Sequence, residues 1–202
     1  MIRLGISVEG PTEREFVHRV LSPHLLAFGV YPRALDMAGN VSLERIRGRM
    51  PAMFGNFDHI STLYDFYGFK RRGEHDIDSL TLAIAATVSE PLRHRLTPYV
   101  QQYEFEALLF AVPEQTVEWL EGNQADLTAM QQAVHQCGSP EKVNDSPQTS
   151  PSHRLEKLFD CRYDKPLHGP EIIELAGLPA IRAQCPRFDA WVARLEALGG
   201  QS

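Results

Sequence analysis

In the stretch Leu4-Gly5-Ile6-Ser7-Val8-Glu9-Gly10-Pro11-Thr12-Glu13-Arg14-Glu15-Phe16, an apolar run leads directly into a carboxylate, a glycine turn and a new run of helical spacing. Apolar residues alternate with small or polar ones over residues 2–8, which is the period of a β-strand. The small alternates allow the second face of this strand to be covered as well. Gly10 and Pro11 then break the run. The stretch predicts a strand, a tight turn and a helix in succession.

A carboxylate lies where this strand is predicted to end. Thr12, with Glu15 three residues later, has the pattern of a capping box and predicts a helix that begins near Glu13. Glu9 is then at the carboxyl end of the strand, the edge at which open parallel sheets bind ligands. Since a helix amino terminus favours anions such as phosphate, Thr12 is a candidate substrate-binding residue. The alternatives are a solvated turn for Glu9 and simple compensation of the helix dipole for Glu13 and Glu15.

Length and composition are those of an ordinary globular protein. The 202 residues suffice for one α/β domain with a small appended unit. No apolar run approaches a membrane span and no signal-peptide pattern opens the chain, so we expect a cytoplasmic protein without a membrane partner. The three cysteines, Cys137, Cys161 and Cys185, are isolated and indicate neither a disulfide framework nor a zinc site.

The net charge of −6 argues against a protein that coats nucleic acid by bulk electrostatics, because such binding depends on Lys and Arg meeting phosphates. It leaves a metal-dependent nuclease open, since a carboxylate active site contributes negative charge that cations offset. Basic residues cluster at 45–49, 70–72 and 93–95, and could hold a strand locally. Each of these clusters is more often simply a solvated face or loop.

A second acid follows another predicted strand. Residues 59–65 are rich in β-forming types and end in Asp65, which is followed by aromatic residues and a glycine. Strands that alternate with helices predict a parallel sheet, and the carboxyl ends of its strands share one edge. Asp65 is therefore expected at the same edge as Glu9. The alternative is an aspartate that only forms a turn.

A third acidic position comes after the last predicted strand, residues 96–103. Glu104 and Glu106 open an apolar segment that is predicted to be a helix. Residues two apart on a helix point in different directions, so at most one of the two is expected to face Glu9. Acids that only complement the helix dipole are the alternative.

The remaining pattern predicts the domain organisation. A mostly parallel four-stranded sheet flanked by helices is expected over residues 1–112, and a C-terminal helical unit packed on it over residues 113–202. Within these regions, residues 41–50 are predicted to be a helix, residues 51–57 a loop and residues 170–175 a short helix. The fold class predicted is α/β.

The helical unit carries polar residues suited to an anion. Ser150 and Pro151 predict a capped helix start, and Ser152, His153 and Arg154 follow it. A helix start with such residues, and with Lys165 nearby, suits phosphate, so Ser152 is a candidate substrate-binding residue and Arg154 and Lys165 are candidate catalytic cations. The alternative is that all are ordinary surface residues, with His153 structural.

These motifs together resemble a small bacterial Toprim-like family of unknown function, which is related to the Toprim domains of OLD-type nucleases. The resemblance is carried by Val8-Glu9-Gly10-Pro11-Thr12-Glu13, by Asp65-Phe66-Tyr67-Gly68-Phe69, by Tyr103-Glu104-Phe105-Glu106-Ala107-Leu108-Leu109, and by Pro151-Ser152-His153-Arg154 with Tyr163-Asp164-Lys165. Toprim domains have Asp-x-Asp at the second motif. Tyr67 stands where their second aspartate would be, which puts a second metal ion in doubt.

The resemblance implies a Toprim-like fold and metal-dependent phosphoryl transfer on nucleic acid, with a nuclease acting on DNA or RNA as the expected function. Acids at strand ends by themselves favour Mg²⁺ or Mn²⁺. Glu9 is the expected general acid/base or ligand, Asp65 and Glu106 the metal ligands with Glu104 as a further candidate, and Lys165 or Arg154 the catalytic cation. An ATPase partner within a bacterial defence module is implied by analogy, and a homodimer is compatible with the sequence.

Two other readings stay open. One is a non-catalytic Toprim-like module that binds a partner ATPase or a nucleotide, which the missing second aspartate and the acidic net charge favour. The other is a phosphatase that acts on a small phosphorylated compound. Metal binding at the strand edge would argue against the non-catalytic module. Turnover without nucleic acid would identify the phosphatase.

Overall fold

The protein is described here by a computed structural model, which covers residues 1–144, 149–160 and 162–201. Residues 145–148, Cys161 and Ser202 lie outside these ranges. In the part of the chain that the structure describes, five strands form one parallel sheet in the order β2-β1-β3-β4, with β5 also paired to β3. The strands are β1 (Ile2–Val8), β2 (Val30–Asp36), β3 (His59–Asp65), β4 (Leu96–Thr97) and β5 (Val100–Gln101). The predicted α/β class is confirmed.

The register of the sheet brings the carboxyl ends of its strands to one edge. Val8 is paired with Asp36 of β2 and with Leu63 of β3, and Asp65 is paired with Gln101 of β5. Gly5 shows why β1 needs small alternates, since a Cβ there would come within 2.9 Å of the Ile60 side chain. The chain segments that leave β1, β3 and β5 therefore start next to one another.

The last predicted strand is divided in two. The expected single strand over residues 96–103 is wrong in detail, because Pro98 lacks the N–H that a continuous ladder would require. At the break, the Thr62 hydroxyl accepts a hydrogen bond from Tyr99 N–H and donates one to Tyr99 O, each at 2.8 Å. One side chain of β3 thereby keeps the two short strands β4 and β5 in register.

The helices pack on both faces of the sheet. They are α1 (Pro11–Phe16), α2 (Ser22–Leu26), α3 (Leu43–Asn56), α4 (Ile77–Ala85), α5 (Pro113–Trp119), α6 (Gln124–Cys137), α7 (Pro151–Leu158), α8 (Lys165–Ala176), α9 (Leu178–Gln184) and α10 (Pro186–Ala197). Short 3₁₀ segments cover Glu90–Arg95, Phe105–Ala111, Pro140–Lys142 and Leu198–Gln201. No helix among the described residues has both the length and the apolar character needed to cross a membrane.

The first helix begins earlier than the capping pattern predicted. It starts at Pro11 with Gly10 as the capping residue, and the Glu13 carboxylate accepts the Gly10 N–H at 3.0 Å. The predicted pairing of Thr12 with Glu15 is wrong, because Glu15 Oε1 instead lies 3.4 Å from Arg14 Nε. A π-helical turn over Val17–Leu21 joins α1 to α2, just before the proline that begins the first turn of α2.

Two helices of the structure are longer than predicted. Helix α3 continues through Pro51, so the predicted loop over residues 51–57 is wrong. It continues because Met53 and Phe54 extend the buried stripe that Ile46 and Met50 begin, and this packing outweighs one missing backbone bond. Helix α8 starts at Lys165, before the predicted residue 170.

The C-terminal helices share a core with one face of the sheet. Leu4 and Ile6 of β1 belong to the same buried cluster as Ile172 of α8 and Phe188 of α10. A second cluster on the other face unites α3 and α4 with the sheet. Across the first interface, Trp191 Nε1 donates to the Ser61 hydroxyl at 2.9 Å. The predicted boundary at residue 112 stays a prediction, but residues on both sides of it pack into one core.

A buried histidine at the start of β3 predicts a pH dependence of stability. The ring of His59 is 8% exposed, its Nε2 lies 2.8 Å from Thr97 Oγ1, and burial, aided by Arg95 and His94, lowers its pKa to about 4. As the pH falls below 6.5, the unfolded chain therefore binds a proton at His59 that the folded chain does not bind. The free energy of unfolding falls by up to about 3 kcal/mol between pH 6.5 and 4. Chemical denaturation across this range should show a smaller loss in His59→Gln. Equal pH profiles of the two proteins would contradict the prediction.

Candidate active site

The acids predicted at the strand ends lie at one edge of the sheet. Glu9 follows β1 directly, Asp65 is the last residue of β3, and Glu106 lies in the first turn of the 3₁₀ segment that follows β5. Charge on Glu106 and on Glu9 acts on the pKa of Asp65, so the three carboxylates share one electrostatic environment. Parallel pairing, rather than closeness in sequence, brings them together.

Burial and mutual repulsion make these carboxylates costly to ionise. Burial raises the pKa of Asp65 well above its usual range, and the neighbouring Glu13, Glu106 and Glu9 raise it further. Burial also raises the pKa of Glu9, although Lys165 and Lys70 oppose the shift. A cluster of this kind destabilises the folded chain unless a cation offsets it, and such clusters are typical of functional sites.

Three oxygens of the cluster have no partner. Glu9 Oε2, Asp65 Oδ1 and Glu106 Oε2 are each shut off from solvent and receive no hydrogen bond from the described residues. Buried polar atoms without a partner are rare in folded proteins, because each forfeits its hydration without compensation. Binding of a cation at this edge would give all three oxygens a partner.

Glu13 is a fourth acid of the site that the sequence interpretation treated as a helix-dipole residue. It is 5% exposed, and burial, with added repulsion from Glu9 and Glu106, raises its pKa to about 7. Its carboxylate holds the turn after Glu9 by accepting the Gly10 N–H. The available signal was its place in the motif Val8-Glu9-Gly10-Pro11-Thr12-Glu13, whereas its burial depends on packing by the rest of the chain.

Gly68 is a further residue that the sequence interpretation missed. A Cβ built on Gly68 would overlap the Glu9 carboxylate, so only glycine leaves room for that side chain. The glycine of the Asp65-Phe66-Tyr67-Gly68-Phe69 motif therefore leaves space for the Glu9 side chain, which is remote in sequence. Substitution by alanine must displace either the Glu9 side chain or the turn after β3.

Lys165, one of the two candidate cations, lies beside Glu106. Its Nζ is 3.7 Å from Glu106 Oε1, and it occupies the first turn of α8, whose start is capped by the Asp164 carboxylate. Burial lowers the pKa of Lys165, but Glu106, Glu104 and Asp65 outweigh burial, so its pKa is raised overall. Tyr163 OH donates to the same Glu106 oxygen at 3.3 Å. The ammonium group therefore stays charged beside the acids.

Glu104 and Ser152 are joined to each other. Glu104 Oε2 accepts the Ser152 N–H at 2.9 Å, at the start of α7. This helix amino terminus, which was predicted to bind phosphate, holds a carboxylate of the chain itself. Ser150 Oγ lies 2.8 Å from His153 Nδ1, which gives His153 a structural contact. Thr12 is buried in the first turn of α1.

The structure does not bring Arg154 to the carboxylates. Its Nε donates to Thr149 O at 2.9 Å, and its side chain lines a separate cavity with Asp126, Ala129 and Lys157. Lys165, at the start of α8, lies beside Glu106 instead. Of the two candidate cations, Lys165 alone has an ion-pair contact with Glu106.

The donor set fits a hard divalent cation held by few protein ligands. No three acidic, histidine or cysteine side chains among residues 1–144, 149–160 and 162–201 lie close enough to hold an ion as they stand. Mg²⁺ usually binds one or two carboxylates and keeps several waters, so a closed cage is not required. The unpartnered oxygens of Asp65 and Glu106 are suitable ligands for such an ion.

Fold and site together define a class, the parallel α/β proteins with buried carboxylates at the carboxyl edge of the sheet. The chain belongs to the family described as "Domain of unknown function (DUF4276)", whose model matches residues 8–196. Curated proteins show no match to it. Among solved structures, the C-terminal region of the Xanthomonas campestris pv. campestris OLD protein is similar, with a TM-score of 0.52 and 15% identity over 98% of this chain and 96% of that one. At this identity the likeness shows the fold, and the fold agrees with the resemblance in the motifs.

Proposed function

We propose that the protein is a metal-dependent phosphodiester hydrolase of Toprim type that cleaves DNA or RNA. The observation that carries this proposal is the group of three buried, unpartnered carboxylate oxygens beside the Lys165 ammonium. Acids and a cation of this kind serve phosphoryl transfer, in which positioning and charge stabilisation supply most of the rate enhancement. The order of the motifs, which resembles that of Toprim proteins, supports the same class of reaction, and the OLD-like fold is compatible with it.

In the proposed mechanism, Asp65 and Glu106 hold Mg²⁺ or Mn²⁺, with Glu104 as an outer candidate. When bound, the metal ion neutralises the phosphate oxygens and acts as a Lewis acid on them. Glu9 accepts a proton from the attacking water or returns one to the leaving oxygen, and its raised pKa suits this exchange. Lys165 stabilises the negative charge that develops on the phosphate.

The absence of a second aspartate after Asp65 favours one metal ion over two. Tyr67 occupies that place, and its hydroxyl accepts a hydrogen bond from Asn144. The proposed site therefore depends on Lys165 for the positive charge that a second metal would supply in other sites.

Cleavage assays test the function directly. Labelled single-stranded and duplex DNA and RNA would be incubated with the protein in Mg²⁺, in Mn²⁺ and in EDTA, with Asp65→Asn as the inactive reference. We expect cleavage that requires the metal and is lost in Asp65→Asn. Absence of cleavage under every condition, or equal cleavage by Asp65→Asn, would contradict the proposal.

The non-catalytic alternative is favoured by the missing second aspartate and by the net charge of −6. In this alternative, the same edge of the sheet binds a nucleotide or a partner ATPase of a bacterial defence module. A cytoplasmic location and a homodimer are further proposals for the protein. The phosphatase alternative predicts turnover of small phosphate esters without nucleic acid. Three carboxylate oxygens buried beside a lysine favour a hydrolase over a module that only binds a partner, and the choice of substrate separates the phosphatase from the nuclease.

Metal binding should raise the stability of the protein. At a metal concentration ten times the Kd, stabilisation is about 1.4 kcal/mol, which raises the Tm of a chain of this size by about 4 °C. Removing a buried, repelled charge in Asp65→Asn should raise the metal-free Tm and abolish the metal-induced rise. Differential scanning calorimetry with Mn²⁺ and with EDTA measures both effects.

A matched control for this measurement is Glu90→Gln, which removes an exposed carboxylate that precedes β4 at the opposite edge of the sheet. Its Tm should respond to Mn²⁺ as the wild type does. A metal response that is unchanged in Asp65→Asn would place the ion elsewhere.

A further inference from the structure

Three aromatic residues adjoin the proposed catalytic acids in the chain, and we call them the aromatic wall: Phe66, Tyr67 and Tyr103. Phe66 follows Asp65 in the chain, and Tyr103 precedes Glu104. The Phe66 and Tyr67 ring centroids are 6.1 Å apart, and those of Tyr67 and Tyr103 are 5.4 Å apart. All three residues are half-buried, so part of the wall faces solvent. A ligand phosphate held by the acids would have this wall next to it.

Backbone contacts fix the wall. Tyr67 N–H donates to Tyr103 O at 3.0 Å, and Phe66 N–H donates to Gln101 O at 3.1 Å. The Tyr67 hydroxyl accepts a hydrogen bond from Asn144. Tyr103 has a φ of 65°, a left-handed conformation that is costly for an aromatic residue and persists because the surrounding contacts hold it. The rings are therefore presented by the fold and are not incidental surface residues.

A cation belongs to the same surface. The Arg72 guanidinium carbon lies 4.3 Å from the Phe66 ring centroid and 5.5 Å from that of Tyr67, and its NH1 donates to Phe66 O at 3.1 Å. Lys70 and Arg71, which precede it, are exposed. Within a chain of net charge −6, this loop joins planar cationic and aromatic groups beside an acidic site. That combination binds nucleobases by stacking and their phosphates by charge.

We propose that the aromatic wall, with Arg72, stacks the unpaired bases of a single-stranded nucleic acid whose phosphate lies at Glu9 and Asp65. This inference rests on the proposed function and specifies its substrate class. A duplex keeps its base faces covered, so it offers the wall nothing to stack on without unpairing. An extended strand presents base faces and phosphates alternately, which matches a ring surface adjoining a phosphate site.

Binding measured without cleavage tests the proposal. The Glu9→Gln protein in Mg²⁺ would be titrated against fluorescently labelled single strands of DNA and of RNA, against the same strands with abasic positions, and against the duplex. We expect abasic strands and duplex to bind about tenfold more weakly than the intact strand, which corresponds to about 1.4 kcal/mol. The DNA and RNA arms identify which sugar the site prefers.

Variants of the wall assign the effect to it. In the same Glu9→Gln background, Tyr103→Asn tolerates the left-handed backbone and should weaken binding of the intact strand about tenfold, with little effect on the abasic strand. Phe66→Leu should do the same, and serves if Tyr103→Asn proves unfolded by its thermal melt. Tyr103→Phe should retain affinity. Tyr31→Ala removes an exposed aromatic of β2, outside the wall, and should bind as its parent does.

The outcomes separate this inference from the proposed function. Equal affinity for intact and abasic strands, or wall variants that bind both strands as the parent does, would overturn the inference even if the wild-type protein cleaves nucleic acid. Base-dependent binding that the wall variants abolish would support it, even if the wild-type protein cleaves nothing and the hydrolase proposal fails.

Discussion

Replacing Glu9 with glutamine is expected to remove metal-dependent cleavage and leave the protein folded. The amide keeps the size of the side chain but loses its charge and basicity, so proton transfer at the scissile phosphate loses its carrier. Loss of a general acid/base typically costs about 10²–10⁴-fold in rate. Since Glu9 Oε2 is buried and has no hydrogen-bond partner among the described residues, the neutral amide should not lower the metal-free Tm. Single-turnover cleavage and thermal melts of the same samples measure both effects.

The matched control for Glu9→Gln is Glu15→Gln, which alters an acid of the same stretch. Glu15 is half-exposed and lies beside Arg14. Its loss should leave cleavage at the wild-type rate. Wild-type cleavage by Glu9→Gln would show that Glu9 is not a catalytic residue and would return it to the role of a turn.

Replacing Lys165 with alanine is expected to slow cleavage by roughly 10²–10³-fold, the cost of losing one preorganised charge in the transition state. Clustered acids repel a phosphodiester, and a metal ion offsets only part of that charge. Lys165 is positioned by the first turn of α8 and lies 3.7 Å from Glu106. Single-turnover rates at saturating metal measure the loss, and Lys165→Arg should restore part of it.

Two variants control for this result. Lys157→Ala removes an exposed lysine of α7 and should keep the wild-type rate. Arg154→Ala tests the other cation that the sequence indicated, and its distinct surroundings predict a near wild-type rate. If Arg154→Ala cleaves slowly and Lys165→Ala cleaves at the wild-type rate, Arg154 rather than Lys165 stabilises the transition state. Wild-type rates in both would assign the helical unit to packing or partner binding.

Sequence patterns located the strand ends because strand periodicity and turn breakers are local. Glu9 and Asp65 each follow an apolar run directly, and a parallel sheet then places them at one edge. The split of the last strand was also readable in principle, since Pro98 cannot donate a ladder hydrogen bond. These features need no information from distant parts of the chain.

Other features depend on packing and could not be predicted in this way. Glu13 has the position of an ordinary first-turn acid, and its burial arises because α8 packs against α1. The role of Gly68 depends on the Glu9 side chain, which comes from another strand. The choice between Arg154 and Lys165 depends on how α7 and α8 are rotated on the sheet, which no local pattern encodes.

Anomalous scattering from a crystal of the protein soaked in Mn²⁺ would show whether the carboxylates at the sheet edge form a metal site. We expect a manganese peak that contacts Asp65 or Glu106, adjoins Glu9, and disappears in crystals of Asp65→Asn. A manganese peak only at other residues, or no peak at a concentration that saturates Mn²⁺ sites in crystals of this kind, would show that these carboxylates do not bind the metal.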